Sequence, residues 1–299
     1  MDISIIIPAY NAELTLPKLL KSLSEQSDKD FELIIIDDCS KDNTLKIASD
    51  YPCKLISLKN NHGPAFCRNI GVKKSSGDIL VFTDSDCILE HNFIKNIRLA
   101  FLKNNSEAIM GKLIIMPSNL LGDSISALGF PAGGSIGFEK IWYVDSNGFT
   151  KSLSTCNTAI KKELFLKIGG FDETFPYAGG EDSFFAYNLV KSNSRIRYCK
   201  DIVAYHPARN SITDFVSWQF KRGISSFIFS KKISDKKHFL SLRIWSTKNI
   251  IKHWYKDFKF PLIFFLLFTS FAIQAIGFIY AKHNRKYHEC FNNKSALAR

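Results

Sequence analysis

Over the first 115 residues, short apolar runs alternate with segments whose apolar positions recur every three or four residues. The runs "ISIII" (3–7), "ELIIID" (32–37), "KLISL" (54–58), "DILVF" (78–82) and "AIMGKLII" (108–115) are β-branched and near-continuous, as in strands buried on both faces. Between them Thr15–Gln26, Thr44–Asp50, Pro64–Ser75 and His91–Asn104 are amphipathic and predict helices. Such alternation predicts an α/β fold: a mostly parallel sheet flanked by helices, with ligands bound beyond the carboxyl ends of the strands. From Pro117 to Lys151 the pattern dissolves into Gly/Ser-rich text such as "LGFPAGGSIGF", which predicts a mobile loop over a site. A strand at "SLSTCNTAI" (152–160), a helix from Lys161 to Ile168, a "GGFD" turn and a helix opened by "GEDSFFAYNL" follow.

Composition alone says little: 299 residues with 45% hydrophobic content allow a sizeable core and exclude a disordered chain. Charge says more. Residues 1–194 hold 20 Lys/Arg against 23 Asp/Glu, whereas residues 195–299 hold 20 against 5. A basic last third suits nucleic acid or an anionic membrane. The uncharged run "FPLIFFLLFTSFAIQAIGFIYA" (260–281) selects membrane lipids and argues against nucleic acid. As a helix it rises about 33 Å, enough to cross a bilayer. Five Lys/Arg flank it on each side within 20 residues, so the positive-inside rule is tied and a re-entrant or interfacial course stays open. Met1-Asp2 carries no basic region and Ile3–Ile7 is too short for an export core, so no leader is expected there. Seven cysteines (39, 53, 67, 87, 156, 199 and 290), with no CxxC pair, predict reduced thiols of a cytosolic domain rather than a disulfide or zinc scaffold.

Each apolar run ends in a polar cluster. The first exits through Pro8-Ala9-Tyr10-Asn11, whose ring and amide could stack on and hydrogen-bond a planar ligand. The second ends in Asp37-Asp38, an acceptor for a base imide N–H, followed by Asp42, Asn43 and Thr44 suited to capping the next helix. In "NNHGPAFCRNIG" (60–71), Gly63 permits close backbone approach and Arg68 is placed to face a phosphate or a base, or simply solvent. The fourth run continues as "TDSDC". If it stays extended, Asp84 and Asp86 share a face and crowd together, a repulsion that a cation would relieve.

In this order and spacing, PAYN, DDCSKDN, NHGPAFCRNIG and TDSD resemble the family 2 glycosyltransferases of the GT-A, Rossmann-like nucleotide-diphospho-sugar transferase fold. The resemblance covers roughly residues 3–210, with "NTAIKKELFLKIGGFDE" (157–173) and "GGEDSFFAYNL" (179–189) as its later marks. It implies a nucleotide-diphosphate sugar donor and a saccharide or lipid-linked acceptor. Asp38 would read the base, with Pro8, Ala9, Tyr10, Asn11, Gly63 and Arg68 around the nucleoside. Asp84-Ser85-Asp86 would be the DxD element, Asp86 holding Mg²⁺ or Mn²⁺ and Asp84 the ribose or a metal-bound water. Asp182 would be the base of an inverting displacement, Glu181 its neighbour, and His206 would complete the metal shell. Helix position would lower the Asp182 pKa and the Glu181 charge would raise it, an issue the sequence leaves open. Cys67 departs from the small residue usual before Arg-Asn.

"QFKRG" (219–223) has Gly where processive relatives carry Trp, which argues against a polymer synthase. The predicted organisation is a catalytic domain at 1–210, a basic amphipathic helical segment at 211–259 lying on the membrane with Trp218 at its interface, a transmembrane or re-entrant helix at 260–281, and a basic tail at 282–299. The catalytic part would sit on the cytoplasmic side. Two rival readings are a sugar-1-phosphate nucleotidyltransferase and a nucleotide-sugar-binding membrane scaffold. PAYNAEL lacks the glycines and basic residue the first needs, and the second needs no second acidic element.

Overall fold

Four apolar runs become the parallel half of a nine-stranded sheet. β1 (Ile3–Ala9), β2 (Glu32–Asp37), β3 (Lys54–Ser57) and β4 (Ile79–Phe82) stand in the order β3-β2-β1-β4, linked by α1 (Leu16–Ser24), α2 (Thr44–Ser49) and α3 (Pro64–Lys74). Ile5–Ile7 and Ile34–Ile36 are wholly buried, as expected where helices cover both faces. This computed structural model describes residues 1–104, 106–234 and 236–289. Cys290 and most of the predicted basic tail lie outside the described residues; the six other cysteines are free.

The second half of the sheet departs from the mostly parallel expectation. After β5 (Ile88–Leu89), α4 (Phe93–Asn104) and β6 (Ala108–Ile115), the chain returns through β7 (Phe149–Thr150) to β8 (Thr158–Lys161), which lies antiparallel between β4 and β6. β8 starts opposite Phe82, the last residue of β4, so it enters the sheet from the site end and must run the other way. β9 (Ile196–His206) is parallel to β6, with a register shift at Gly111/Lys112. The buried Asn157 amide stitches that shift, donating to the Lys112 and Ile202 carbonyls at 2.9 and 3.0 Å. Residues 151–157 are irregular, so only the end of the expected 152–160 strand forms.

The segment 117–151, expected as a mobile loop, contains α5 (Leu120–Ser126), a 3₁₀ turn (Gly134–Ile136) and α6 (Phe138–Ile141). Part of its apolar surface is covered: Ile125, Leu128 and Ile141 pack with Phe215, Ile250, Ile263 and Leu266 of the C-terminal helices. α7 (Lys162–Ile168) and α8 (Glu181–Lys191) flank the last strand's approach, followed by α9 (Ile212–Lys232), α10 (Lys236–Trp254), α11 (Phe260–His283) and the short α12 (Lys286–Glu289).

α9 does not lie open on a surface. Phe215, Gln219, Gly223, Ile224, Phe227 and Ile228 are buried, and α11 packs along it. The crossing is close because it is built on glycines: a Cβ at Gly223 would sit 2.2 Å from the Gln274 carbonyl oxygen, and one at Gly277 2.2 Å from that of Phe220. A buried amide chain ties three helices together, with Gln274 Nε2 donating to Gln219 Oε1 and Arg243 donating to Gln274 Oε1, both at 2.7 Å. α11 buries Ile263, Leu266, Leu267, Ser270, Gln274, Gly277 and Ala281 along its whole length and leaves Phe264, Phe265, Phe268, Ile276 and Ile279 exposed on the other side.

Candidate active site

The chain leaves β4 in a turn closed by the Cys87 N–H donating to the Asp84 carbonyl at 3.1 Å. Asp84 and Asp86 therefore stand on a turn rather than on one strand face, and each meets its own partners. Asp84 Oδ1 accepts from Arg68 Nη2 at 2.6 Å and Oδ2 from the Cys156 thiol at 3.0 Å. Burial alone would raise the Asp84 pKa, but the Arg68 charge and the Cys156 and Arg68 hydrogen bonds hold it below its ordinary value. Ser85 is half-buried between the two. Asp86 Oδ2 lies 3.3 Å from His206 Nε2, and its Oδ1 is buried with no hydrogen-bond partner.

His206 Nδ1 lies 2.7 Å from the Pro207 carbonyl and must donate to it. In the neutral ring Nε2 then presents a lone pair to a carboxylate. A proton or a metal ion between the two atoms would make that contact favourable.

Arg68 is 2% exposed, and its guanidinium is engaged by two carboxylates. Besides Asp84, its Nη1 donates to Glu181 Oε1 at 3.0 Å, so one guanidinium from α3 bridges the turn after β4 and the start of α8. Burial opposes its charge, yet Asp84 and Glu181 outweigh that and raise its pKa. The glycines preceding α8 are left-handed, with φ of 97° at Gly179 and 133° at Gly180. Their N–H groups turn back on the acids: Gly179 donates to Glu181 Oε2 at 2.8 Å, and Gly180 and Ser183 donate to Asp182 Oδ1 at 3.2 and 2.7 Å. Burial, then the Asp182 charge, push Glu181 up to about 7 against the pull of Arg68. Asp182 is also raised by burial, which its backbone hydrogen bonds only partly offset. Desolvation thus outweighs the helix terminus.

At the ends of β1 and β2 the polar groups largely serve the backbone. Asn11, at φ 48°, accepts from the Lys41 N–H at 2.8 Å and donates its own N–H to Ser40 Oγ at 3.0 Å. The Ala9 carbonyl, next to Pro8, accepts from the Asp38 N–H, and the buried Asp38 carboxylate accepts from the His62 and Gly63 N–H groups at 2.8 Å each. Asp38 therefore shapes the corner that carries Gly63. Its neighbour Asp37 is the member of the doublet with a buried oxygen, Oδ1, that has no partner. Tyr10 is half exposed beside them.

One cavity of about 430 Å³ is lined by Arg68, Asp84, Cys156, Glu181, Asp182 and His206, and on its far wall by Arg209, Trp218, Arg222 and Arg243. Pro8, Ala9, Tyr10, Asn11, Asp38 and Gly63 are not among its lining residues. Cys156 and Arg222 were not anticipated. A signal for Arg222 was present: it falls on the helical stripe Phe215, Trp218, Gln219, Arg222, Phe229, otherwise nearly free of charge. Gly223, where Trp was expected, is required by the crossing with α11.

The model for glycosyl transferase family 2 matches residues 4–133, and that for the N-terminal domain of galactosyltransferase matches residues 138–209. An uncharacterized glycosyltransferase of Haemophilus influenzae is 31% identical over 222 residues, 71% of each chain. The UDP-Glc:α-D-GlcNAc-diphosphoundecaprenol β-1,3-glucosyltransferase WfgD of Escherichia coli is 30% identical over 196 residues, 64% of this chain and 71% of that one. Of the longer Staphylococcus aureus poly(ribitol-phosphate) β-N-acetylglucosaminyltransferase TarS, the match spans only 21%. Among solved structures, the mannosyltransferase PcManGT of Pyrobaculum calidifontis in complex with GDP-Man and Mn²⁺ superposes with a TM-score of 0.55 at 17% identity, covering 97% of this chain and 83% of that one.

Proposed function

This chain belongs to glycosyl transferase family 2 and has the GT-A fold, and from that premise we propose that it transfers one sugar, with inversion, from a nucleotide-diphosphate sugar to a hydroxyl of a saccharide or lipid-linked acceptor. By analogy with WfgD the donor is a UDP-sugar. The observation that carries the proposal is the sharing of one cavity by the two acidic corners, Asp84 after β4 and Glu181-Asp182 at the start of α8. A transferase of this type needs a place for the leaving diphosphate and, across it, a base for the acceptor.

The residues fit a divalent cation. Asp86 offers a buried, unpartnered Oδ1, and His206 turns Nε2 towards the same carboxylate. Among the described residues no group of three or more His, Cys, Asp and Glu side chains converges on one point. Asp86 and His206 would hold Mg²⁺ or Mn²⁺ and leave its other positions to diphosphate oxygens, as is common for these ions. When bound, the ion would neutralise charge developing on the leaving diphosphate. Asp84, kept ionised by Arg68 and Cys156, would accept a ribose hydroxyl or a metal-bound water. Asp182 takes the acceptor proton, its position fixed by the Gly180 and Ser183 N–H groups. Asp37 and Asp38 would stand at the nucleoside end, the doublet supplying the acceptor for a base N–H.

The bare apolar side of α11, between basic flanks, supports binding to the cytoplasmic face of a membrane. Because its other side is sealed to α9 and α5 from Ile263 to Ala281, an in-plane course is favoured over a crossing. In the direct test, Asp182→Ala lowers transfer by about 10²–10⁴-fold with donor binding retained. Asp86→Ala abolishes metal-dependent donor binding, read as the Tm rise with UDP-, GDP- and dTDP-sugars with and without Mn²⁺. Unchanged transfer in both variants overturns the assignment.

A further inference from the structure

The far wall of the cavity has no part in the chemistry described so far. Arg209, Arg222 and Arg243 converge there, and none forms a side-chain ion pair among the described residues. Arg222 lies 3.6 Å from the Phe130 ring centroid and 5.2 Å from that of Trp218. Arg209 lies 4.9 Å from Trp218, with its Nε buried and unpartnered. Arg243 is held by Gln274. Burial, followed by the Arg243 charge, pushes Arg222 below the usual arginine range, and burial does the same to Arg243. Asp182 is the carboxylate that offsets the Arg222 charge. Guanidinium groups gathered in this way, with stacked rings beneath them and free N–H donors, are matched by phosphate oxygens.

The wall does not stop at the arginines. Arg243, Leu240, Phe271 and Phe278 also line a second, almost wholly apolar groove of about 620 Å³, which continues to Ile244 and Ile279. Both isoleucines are exposed, and Ile279 stands on the bare side of α11. From Asp182 outwards the order is base, guanidinium groups, apolar groove, membrane-facing surface.

We propose that this passage binds a lipid-linked acceptor through its phosphates: Arg209, Arg222 and Arg243 hold the phosphate or diphosphate, the apolar groove takes the first part of the lipid chain, and the linked saccharide reaches Asp182. The proposal deepens the acceptor half of the function above and rests on it. Charge complementarity selects this occupant over a neutral glycolipid, and the adjoining groove selects it over a free anion.

The test titrates the Trp fluorescence of the full chain in detergent with farnesyl diphosphate, farnesol and inorganic pyrophosphate, in EDTA so that the metal-dependent donor site is silent. Farnesyl diphosphate should bind at least about tenfold more tightly than either fragment, and Arg222→Met and Arg243→Met should each weaken it about tenfold without changing farnesol binding. Equal affinity for farnesol and farnesyl diphosphate, or unaltered binding in both variants, overturns the proposal. So does equal weakening of Mn²⁺-dependent UDP binding in the arginine variants, which would assign the cluster to the donor. Because the ligand comparison is made on the unaltered chain, it stands even if a variant fails to fold. Failure here with UDP-sugar binding and turnover intact leaves the glycosyltransferase reading in place. Failure of nucleotide-sugar binding as well would remove its premise.

Discussion

At the end of β4 a carboxylate is held ionised, while at the start of α8 two are pushed towards their protonated forms, although the same Arg68 touches both corners. The difference lies in what else each acid meets. Asp84 receives a guanidinium N–H and a thiol, and these outweigh burial. Glu181 shares Arg68 but also has Asp182 beside it, a second negative charge in the same buried space. In each corner one acid is tied to Arg68, leaving Asp86 facing His206 and Asp182 facing the cavity. Under the proposed function one corner would suit a cation and the other a proton, although both are carboxylate pairs built around one arginine.

The largest break in this comparison is removal of Arg68. Arg68→Met strands Asp84 and Glu181 as buried, uncompensated charges, and loss of one partner from a buried pair costs about 3–5 kcal/mol. Urea unfolding should show that loss, and transfer should disappear with it. Arg68→Lys should recover little, because an ammonium lacks the fork that reaches both carboxylates. Full recovery by Lys would mean that only charge, and not the bridge, connects the corners.

Next in size is the pH response. Burial raises Asp182, the proposed base, above its ordinary 3.8, so kcat/KM should fall with decreasing pH at a limb above the ordinary aspartate range. Stability follows the same pKa shifts with opposite signs in the two corners. Glu181 binds its proton more tightly when folded, so its contribution is fully present below its ordinary 4.5 and is lost as pH rises through about 7. Asp84, lowered from 3.8, contributes above that value and loses its contribution as pH falls below it. Chemical unfolding of Glu181→Gln across this range should show a flatter decline between about 4.5 and 7 than the unaltered chain. An unchanged slope would place the raised pKa elsewhere.

Much of this was legible in the sequence, but unequally. The strands β1–β4 and helices α1–α4 follow local periodicity, and their limits differ from expectation by no more than two residues. The acidic corners were visible as TDSD and GGED. Their geometry was not, because an apolar run does not show where its ladder stops. β4 ends at Phe82 because β8 begins opposite it, and β8 lies 76 residues further along. The destination of Arg68 depends on Glu181, 113 residues away. α9 was misread as a surface helix because Lys221, Arg222, Lys231 and Lys232 make it look basic all round. Lys221 and Lys231 are exposed, while Arg222 turns inwards and α11 covers the apolar stripe.

The smallest effect lies at Cys156, the other support of the ionised corner. Its thiol donates to Asp84 Oδ2, its carbonyl accepts from Thr83 Oγ1 at 3.0 Å, and Cys87 Sγ lies 3.7 Å from that carbonyl. Replacing the side chain by Ala removes one donor and leaves the backbone contacts, so the expected loss is about 1 kcal/mol. Asp84 keeps Arg68, but its pKa should move back towards the ordinary value, weakening donor binding at the acid end of the pH range more than at neutral pH. Cys156→Ser restores an O–H donor at nearly the same place and should restore the acid-side binding. If Ala and Ser behave alike in that measurement, the thiol is packing only, and Arg68 alone makes the corner after β4 different from the one at α8.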